Sequence, residues 1–163
     1  MTVLYYLQSI RSTKLDRFMK TVTKLGNAGA VWICLAIVML FFNNTRKGGM
    51  ALLVALASSA ILGNLVLKNL INRDRPCWRD PSIALLIPEP EDYSFPSGHT
   101  YSSFSAAFGL LPFVAAPFFW LALLLASAIG LSRLYLFVHY LSDVLMGAVF
   151  GIITGMIVAS FFI

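Results

Sequence analysis

The protein has 163 residues, of which 59% are hydrophobic and 12% are charged, and its formal net charge is +5. Soluble domains carry about 25% charged residues, so this composition excludes an ordinary soluble domain and predicts an integral membrane protein. The length suits one domain, residues 1–163. No nucleic-acid-binding motif accompanies the positive charge, so we expect the charge to face anionic lipid headgroups and not nucleic acid.

The N-terminal segment, residues 1–24, combines apolar and basic residues. Its apolar residues recur at roughly helical spacing, and Arg11, Lys14 and Arg17 lie mostly between them. This pattern predicts an amphipathic helix in the headgroup plane, interrupted near Ser12. A solvated leader is the alternative. A signal peptide is not expected, because the charges leave no apolar core of sufficient length.

Four uncharged stretches follow, and a helix needs about 20 apolar residues to cross a bilayer. The third stretch is too long for one crossing and contains Pro112 and Pro117, so we interpret it as a hairpin of two helices. The sequence therefore predicts an all-α fold, a bundle of about five transmembrane helices: Leu25–Thr45, Gly48–Leu67, Tyr101–Ala116, Phe118–Tyr135 and Val144–Ile163.

Two cysteines and three glycines bear on how the bundle is held together. Cys34 lies in the first predicted span and Cys77 in a polar loop, so we expect free thiols. Gly147, Gly151 and Gly155 recur every four residues in the fifth span, a pattern typical of close helix packing. We expect this packing inside a monomer, with homodimerisation as the alternative.

Three short polar segments, residues 68–76, 96–99 and 132–143, lie at the ends of the predicted spans. Counting membrane crossings places all three on the same face of the membrane. Ionisable side chains beside hydrocarbon are costly, which makes them candidates for a functional site.

The first polar segment reads Lys68-x6-Arg75-Pro76, and its proline predicts the end of a helix. Basic side chains at a membrane boundary often extend to the headgroups, and we assign that structural role to Arg73 and Arg79. The link to the other two segments favours a functional role for Lys68 and Arg75.

The second polar segment reads Pro96-Ser97-Gly98-His99 and directly precedes the third predicted span. Ser97 is a natural N-cap, and Gly98 lets the backbone approach a ligand closely. The free N–H groups of a first helical turn favour an anion. A plain helix cap with an interfacial histidine is the alternative.

The third polar segment reads Ser132-Arg133-x5-His139-x3-Asp143. The i, i+4 spacing of His139 and Asp143 puts both on one face of a helix, provided that the helix starts by about His139. Asp143 could then hold one ring N–H of His139 and leave the other nitrogen free as a nucleophile or base. A helix-starting pair without chemistry is the alternative.

Together and in this order, the three segments resemble the signature motifs of the type-2 phosphatidic acid phosphatase family, which shares its site with vanadium haloperoxidases and glucose-6-phosphatase. The resemblance covers about residues 60–163 strongly. Many members of that family have six spans, and the charged N-terminal helix would have to be the first of them here.

The resemblance implies the following roles. His139 would attack phosphorus and form a phosphohistidine, Asp143 would fix its tautomer, and His99 would protonate the leaving oxygen. The phosphate would be held by Lys68, Arg75, Arg133, the Ser97 hydroxyl and the Gly98 N–H. This scheme needs no metal and no cofactor.

Two other classes of function compete with this interpretation. A metal-dependent hydrolase could use His99, His139 and Asp143 with the acidic loop that holds Glu89, Glu91 and Asp92, although those loop acids lack ligand spacing and are expected to be solvated. A non-catalytic lipid carrier would bind lipid without releasing phosphate. A haloperoxidase is excluded by composition, since those relatives are soluble.

A site at the membrane boundary implies a membrane lipid phosphate as substrate. We favour an isoprenyl diphosphate, ahead of phosphatidylglycerol phosphate and phosphatidic acid. Ten of the 12 basic residues fall on the predicted site face and two, Arg46 and Lys47, on the other, which by the positive-inside rule would put the site in the cytoplasm. Three of the ten belong to the site and five to the N-terminal helix, so we follow the family resemblance instead. It implies a cell-membrane protein with an extracytoplasmic site.

Overall fold

The computed structural model describes residues 1–163 and contains only helices and connecting turns, which confirms the predicted all-α class. The α-helices in chain order are α1 (Thr2–Ser9), α2 (Thr13–Leu25), α3 (Ala30–Leu40), α4 (Arg46–Ser59), α5 (Lys68–Ile71), α6 (Pro76–Arg79), α7 (Gly98–Leu110), α8 (Ala116–Tyr135) and α9 (Leu141–Ser160). A π-helical segment, Ala60–Leu67, joins α4 to α5.

The N-terminal segment forms two helices, and both are attached to the C-terminal end of α8. The break between them comes close to the predicted interruption, because the Ser12 side chain accepts a hydrogen bond from the Leu15 N–H and caps α2. The Tyr135 hydroxyl donates to Asp16 at 2.6 Å, and Gln8 Nε2 donates to the Tyr135 carbonyl at 2.9 Å. These bonds place α2 beside the end of α8 that carries Arg133.

Three helical runs are long and apolar enough to cross a membrane: Arg46–Arg79, α8 and α9. The pair α2–α3, bent by 49°, makes a fourth if its halves count as one broken span. The five predicted spans correspond to α3, α4, α7, α8 and α9, but α3 has 11 residues and α7 has 13. Both are shorter than the roughly 20 residues of a full crossing. By length and composition, three or four helical runs therefore qualify as candidate spans.

Helix α7 is central, because it packs against α4, α8 and α9 and none of its residues is exposed. The glycines of α9 make this packing possible. A Cβ atom at Gly151 would lie 2.6 Å from the Tyr101 carbonyl oxygen, and one at Gly155 would lie 2.5 Å from that of Ser105. The glycine pattern thus serves close packing of α9 against α7 inside the bundle, as predicted. Since these contacts advance in the same direction along both helices, the N-termini of α7 and α9 lie side by side.

The run from α4 to α5 carries Lys68 to the same end of the bundle. It ends at Asn72, whose φ of 47° is left-handed. The proline that we expected to end this helix, Pro76, instead occupies the first turn of α6. Cys34 and Cys77 are both free thiols, as predicted.

Candidate active site

The three polar segments meet at one cavity of about 360 Å³ at the end of the bundle. Its wall includes six of the eight predicted site residues: Lys68, Arg75, Gly98, His99, Arg133 and His139. The other two, Ser97 and Asp143, are fully buried and are not part of the wall. The convergence that we expected from counting membrane crossings is present in the tertiary structure.

The three predicted cations are all buried, with 5% of Lys68, 2% of Arg75 and 5% of Arg133 exposed. Arg133 Nη1 donates to the Thr23 hydroxyl at 2.7 Å, and its Nε has no hydrogen-bond partner. Buried charges are costly unless they are paired, so three cations around one cavity favour an anionic ligand there.

One carboxylate, that of Asp92, lies among these cations. It forms ion pairs with Lys68 and with Arg75, whose Nη2 lies 2.6 Å from Oδ1. Arg75 Nε also donates to the Asp92 carbonyl at 2.6 Å. Burial alone would raise the pKa of Asp92, but its contact with Lys68 and the charge of Arg75 hold that pKa below its usual value. Asp92 therefore stays ionised. We had expected it to be solvated, and no spacing in the sequence signalled this contact.

His139 lies in the turn between α8 and α9 with 1% of its surface exposed. Its Nδ1 lies 2.7 Å from the Ser94 carbonyl oxygen, which can only accept, so Nδ1 carries the proton. Its Nε2 accepts from Arg75 Nη1 at 3.1 Å and holds a lone pair. Burial, reinforced by the charges of Arg75, Arg133 and Lys68, lowers the pKa of His139 well below its usual value. The ring is therefore neutral and keeps an unprotonated nitrogen.

Asp143 does not hold the His139 ring in the way the spacing suggested. Its Oδ2 lies 3.7 Å from His139 Nδ1, beyond hydrogen-bond distance, and accepts instead from the Tyr140 N–H at 2.8 Å. The reason is that α9 begins at Leu141, so His139 precedes the helix, and Asp143, its third residue, accepts the backbone N–H of the N-cap residue Tyr140. The Ser94 carbonyl supplies the bond to His139 that we expected from Asp143.

Arg73, which we assigned to the membrane boundary, is the main partner of Asp143. Its Nη1 lies 2.6 Å from Asp143 Oδ1 and donates to the Ser142 hydroxyl at 2.7 Å. Its guanidinium also lies 4.1 Å from the centre of the Tyr140 ring. The boundary interpretation remains suitable for Arg79, which is exposed and lies 3.8 Å from Asp74.

The second polar segment forms the N-terminus of α7. Ser97 is the N-cap residue as predicted, but its hydroxyl accepts from Thr100 Oγ1 at 2.9 Å and caps no backbone N–H. A Cβ atom at Gly98 would lie 2.8 Å from Asn64 Oδ1, so a larger residue there would displace the exposed Asn64 side chain. His99 Nε2 lies 2.9 Å from the side-chain oxygen of Asn27, a residue that no sequence motif singles out.

No group of three or more His, Cys, Asp or Glu side chains has a geometry that could hold a metal ion. Of the acids in the loop before α7, Asp92 is the one that enters the site, and there it pairs with Lys68 and Arg75. The loop acids therefore do not gather around the histidines. The arrangement instead offers a neutral nucleophile, a second histidine and a positively charged wall, which suits the transfer of a phosphoryl group.

Comparison with known proteins agrees with this geometry. The family model described as the PAP2 superfamily matches residues 48–162. The chain belongs to that superfamily, which confirms the resemblance to type-2 phosphatidic acid phosphatases drawn from the three motifs.

The chain is also similar to individual members. It is 34% identical over 122 residues to undecaprenyl-diphosphatase of Sulfolobus acidocaldarius, covering 74% of this chain and 58% of that protein. It is 33% identical over 165 residues to phosphatidylglycerophosphatase B of Bacillus subtilis, covering 93% and 77%. Across the first relatives, the chain spans between 51% and 63% of their length.

Two solved structures have the same fold. The crystal structure of Aquifex aeolicus LpxE is 30% identical and has a TM-score of 0.86, with 98% of this chain and 93% of that chain covered. A transmembrane PAP2-type phosphatidylglycerolphosphate phosphatase from Bacillus subtilis is 28% identical, has a TM-score of 0.81 and is covered to 82%.

Proposed function

We propose that the protein is a metal-independent membrane lipid phosphatase. The observation that carries the proposal is the meeting of three buried cations and both histidines at one cavity. His139 Nε2 has a lone pair and is the nucleophile, while His99 is the second group able to move a proton. The names of the relatives, which include a diphosphatase and a phosphatidylglycerophosphatase, support the same class.

In the proposed reaction, His139 Nε2 attacks phosphorus and forms a phosphohistidine. Binding of the anionic phosphate lets His99 take up a second proton, on Nδ1. The bond from phosphorus to the leaving oxygen then breaks, and that oxygen takes this proton from His99. Attack leaves a positive charge on the His139 ring, which the Nδ1–H bond to the Ser94 carbonyl stabilises. A water then attacks phosphorus, gives its proton to His99 and releases phosphate, which restores both histidines.

The phosphate oxygens are assigned to Lys68, Arg75, Arg133 and the Gly98 N–H. The Asp92 contacts support this assignment, because they show Lys68 and Arg75 binding anionic oxygens at the cavity. Ser97 takes a supporting role, since its hydroxyl is fully buried and already bonded to Thr100. Asp143 supports the site indirectly, because it accepts hydrogen bonds from the Tyr140 N–H at the start of α9 and from Arg73.

The proposed substrate is a lipid phosphate that enters from the bilayer. We favour an isoprenyl diphosphate, because the names of two relatives, undecaprenyl-diphosphatase and decaprenylphosphoryl-5-phosphoribose phosphatase, refer to polyprenyl lipids. Phosphatidylglycerol phosphate and phosphatidic acid follow. We keep a monomer as the proposed state, because Gly151 and Gly155 are used inside the bundle.

The test is phosphate release by the detergent-purified protein in the presence of EDTA, with the three lipids compared at equal surface concentration. We expect release from at least one lipid, loss of release in His139→Ala, and an acid-labile phosphoenzyme in the unmodified protein. Lipid binding without release would favour a carrier. Loss of activity with EDTA would favour a metal enzyme.

We further propose that the site faces away from the cytoplasm of the cell membrane. In a background lacking Cys34 and Cys77, Asn44→Cys and Ser82→Cys report on opposite ends of the bundle. A membrane-impermeant thiol reagent should label position 82 but not position 44 on intact cells. The reverse pattern would place the site in the cytoplasm.

A further inference from the structure

We propose that Asn27 is a positioning residue for His99. Its side-chain oxygen accepts the Nε2–H of His99 and holds the ring so that Nδ1 delivers the proton to the leaving oxygen. This inference rests on the proposed role of His99 and extends the site to a residue outside the span of 48–162 that the family model matches.

The His99 ring forms one hydrogen bond within the protein, to the side chain of Asn27. Asn27 Oδ1 lies 2.9 Å from His99 Nε2, and it is the only protein partner of this ring. A histidine that transfers a proton commonly uses one nitrogen for an orienting acceptor and the other for chemistry. His139 shows the same division here, with Nδ1 on the Ser94 carbonyl and Nε2 towards Arg75.

The backbone around Asn27 packs closely against the His99 ring. Asn27 begins the 3₁₀ turn Asn27–Gly29, in which Ala28 and Gly29 have φ values of 51° and 68°. A Cβ atom at Gly26 would lie 2.9 Å from His99 Cδ2 and 2.8 Å from Ile129 Cγ2. The turn is therefore pressed against the His99 ring, and Gly26, Ala28 and Gly29 line the cavity. This close contact fixes where the Asn27 side chain can reach.

The charges that face His99 explain why a neutral acceptor suits this position. Burial disfavours a positive charge on the His99 ring most, and the charges of Arg133, Lys68 and Arg75 add to this. Asp92 favours the charge, and His139 is the remaining titratable neighbour. The Asn27 amide orients the Nε2–H without adding a charge of its own. A carboxylate at position 27 would in contrast stabilise the protonated ring strongly and make it a weaker acid.

The test compares Asn27→Ala and Asn27→Asp by the pH dependence of kcat at saturating lipid phosphate. Asn27→Ala should lower kcat on the order of 10-fold with little change in KM, since the acid keeps its proton but loses its orientation. Asn27→Asp keeps the acceptor and should move the alkaline limb of the profile upward by about 1 pH unit. The matched controls are Asn44→Ala and Asn44→Asp, in the exposed loop between α3 and α4, which should change neither quantity.

Several outcomes would overturn the inference. Full kcat in Asn27→Ala would remove any role in the reaction. Equal losses of kcat in both variants, with an unmoved alkaline limb, would mean that Asn27 only supports the fold around His99. Melting curves in detergent would then show lower stability of both variants. His99→Ala separates the two proposals: if it keeps normal kcat, the role of His99 in the proposed function fails first. If His99→Ala is inactive while both Asn27 variants have normal kcat, the role of His99 stands and only the positioning role of Asn27 fails.

Discussion

The carboxylate of Asp92 accepts a hydrogen bond from Arg75 Nη2 at 2.6 Å, and Lys68 forms a second ion pair with it. These are two of the three side chains proposed to bind phosphate. An anionic side chain on the loop before α7 thus binds the same donors as the proposed substrate, and it must yield them when phosphate enters.

We therefore expect Asp92→Asn to lower the KM for lipid phosphate and to tighten the binding of orthovanadate, an anionic analogue of phosphate. Loss of the competing charge should be worth about 1 kcal/mol, or a factor of about 5, because the carboxylate is partly exposed and screened. Initial rates of phosphate release over a range of lipid and vanadate concentrations measure both effects.

The control is Glu91→Gln, which removes a charge from an exposed neighbour that forms no ion pair in the structure. A higher KM in Asp92→Asn, with Glu91→Gln unchanged, would show that Asp92 organises the cations and does not compete for them.

The pH dependence of stability should report on His139. Burial and then the nearby cations lower its pKa in the folded state, so the unfolded chain binds more protons as the pH falls through 6.5. The free energy of unfolding should therefore decrease below about pH 6.5, where an unfolded histidine begins to protonate. Thermal melting in detergent between pH 7.5 and pH 5 measures this. His139→Gln should reduce the slope, and an unchanged slope would contradict the assignment of a buried neutral ring.

Asp143 should contribute less to catalysis than the two histidines. It bonds to Arg73 and the Tyr140 N–H, whereas the Ser94 carbonyl holds His139. We expect Asp143→Asn to slow phosphate release far less than His139→Ala and to lower stability by about 1 kcal/mol through the weakened cap. His99→Ala should cost about 10²–10⁴ in kcat, as is usual for a general acid.

Arg73→Gln should reproduce most of the effect of Asp143→Asn, and the double variant should be less than additive because the two side chains form one pair. Kinetics and melting curves of the three variants measure the coupling. If Asp143→Asn were as inactive as His139→Ala while Arg73→Gln was normal, Asp143 would act on His139 directly.

The two buried arginines should not tolerate lysine. Arg75 donates through Nε, Nη1 and Nη2 to Asp92, Val138 and His139, which a single ammonium group cannot reproduce. Arg75→Lys and Arg133→Lys should therefore raise KM and lower kcat, measured as phosphate release. Arg46→Lys, on the opposite end of the bundle, is the matched control. Full activity of both site variants would make these arginines boundary anchors.

The sequence alone determined the class of the protein and most of its proposed site. Apolar runs reveal membrane helices because burial in lipid depends on local composition, although α3 and α7 are shorter than the runs suggested. The spacing of three motifs identified the family and eight candidate residues, since each motif is a short stretch whose residue types can be read directly.

The contacts that orient these residues were decided by the tertiary structure. Asn27 meets His99 across 72 residues, Arg73 meets Asp143 across 70, and the Ser94 carbonyl meets His139 across 45. None of these pairs has a characteristic spacing, because each joins turns or helix ends that only the packing of the whole bundle brings together. A backbone carbonyl such as that of Ser94 also leaves no trace in residue type. For these reasons the identity of the proposed nucleophile could be predicted from sequence, but the groups that hold it could not.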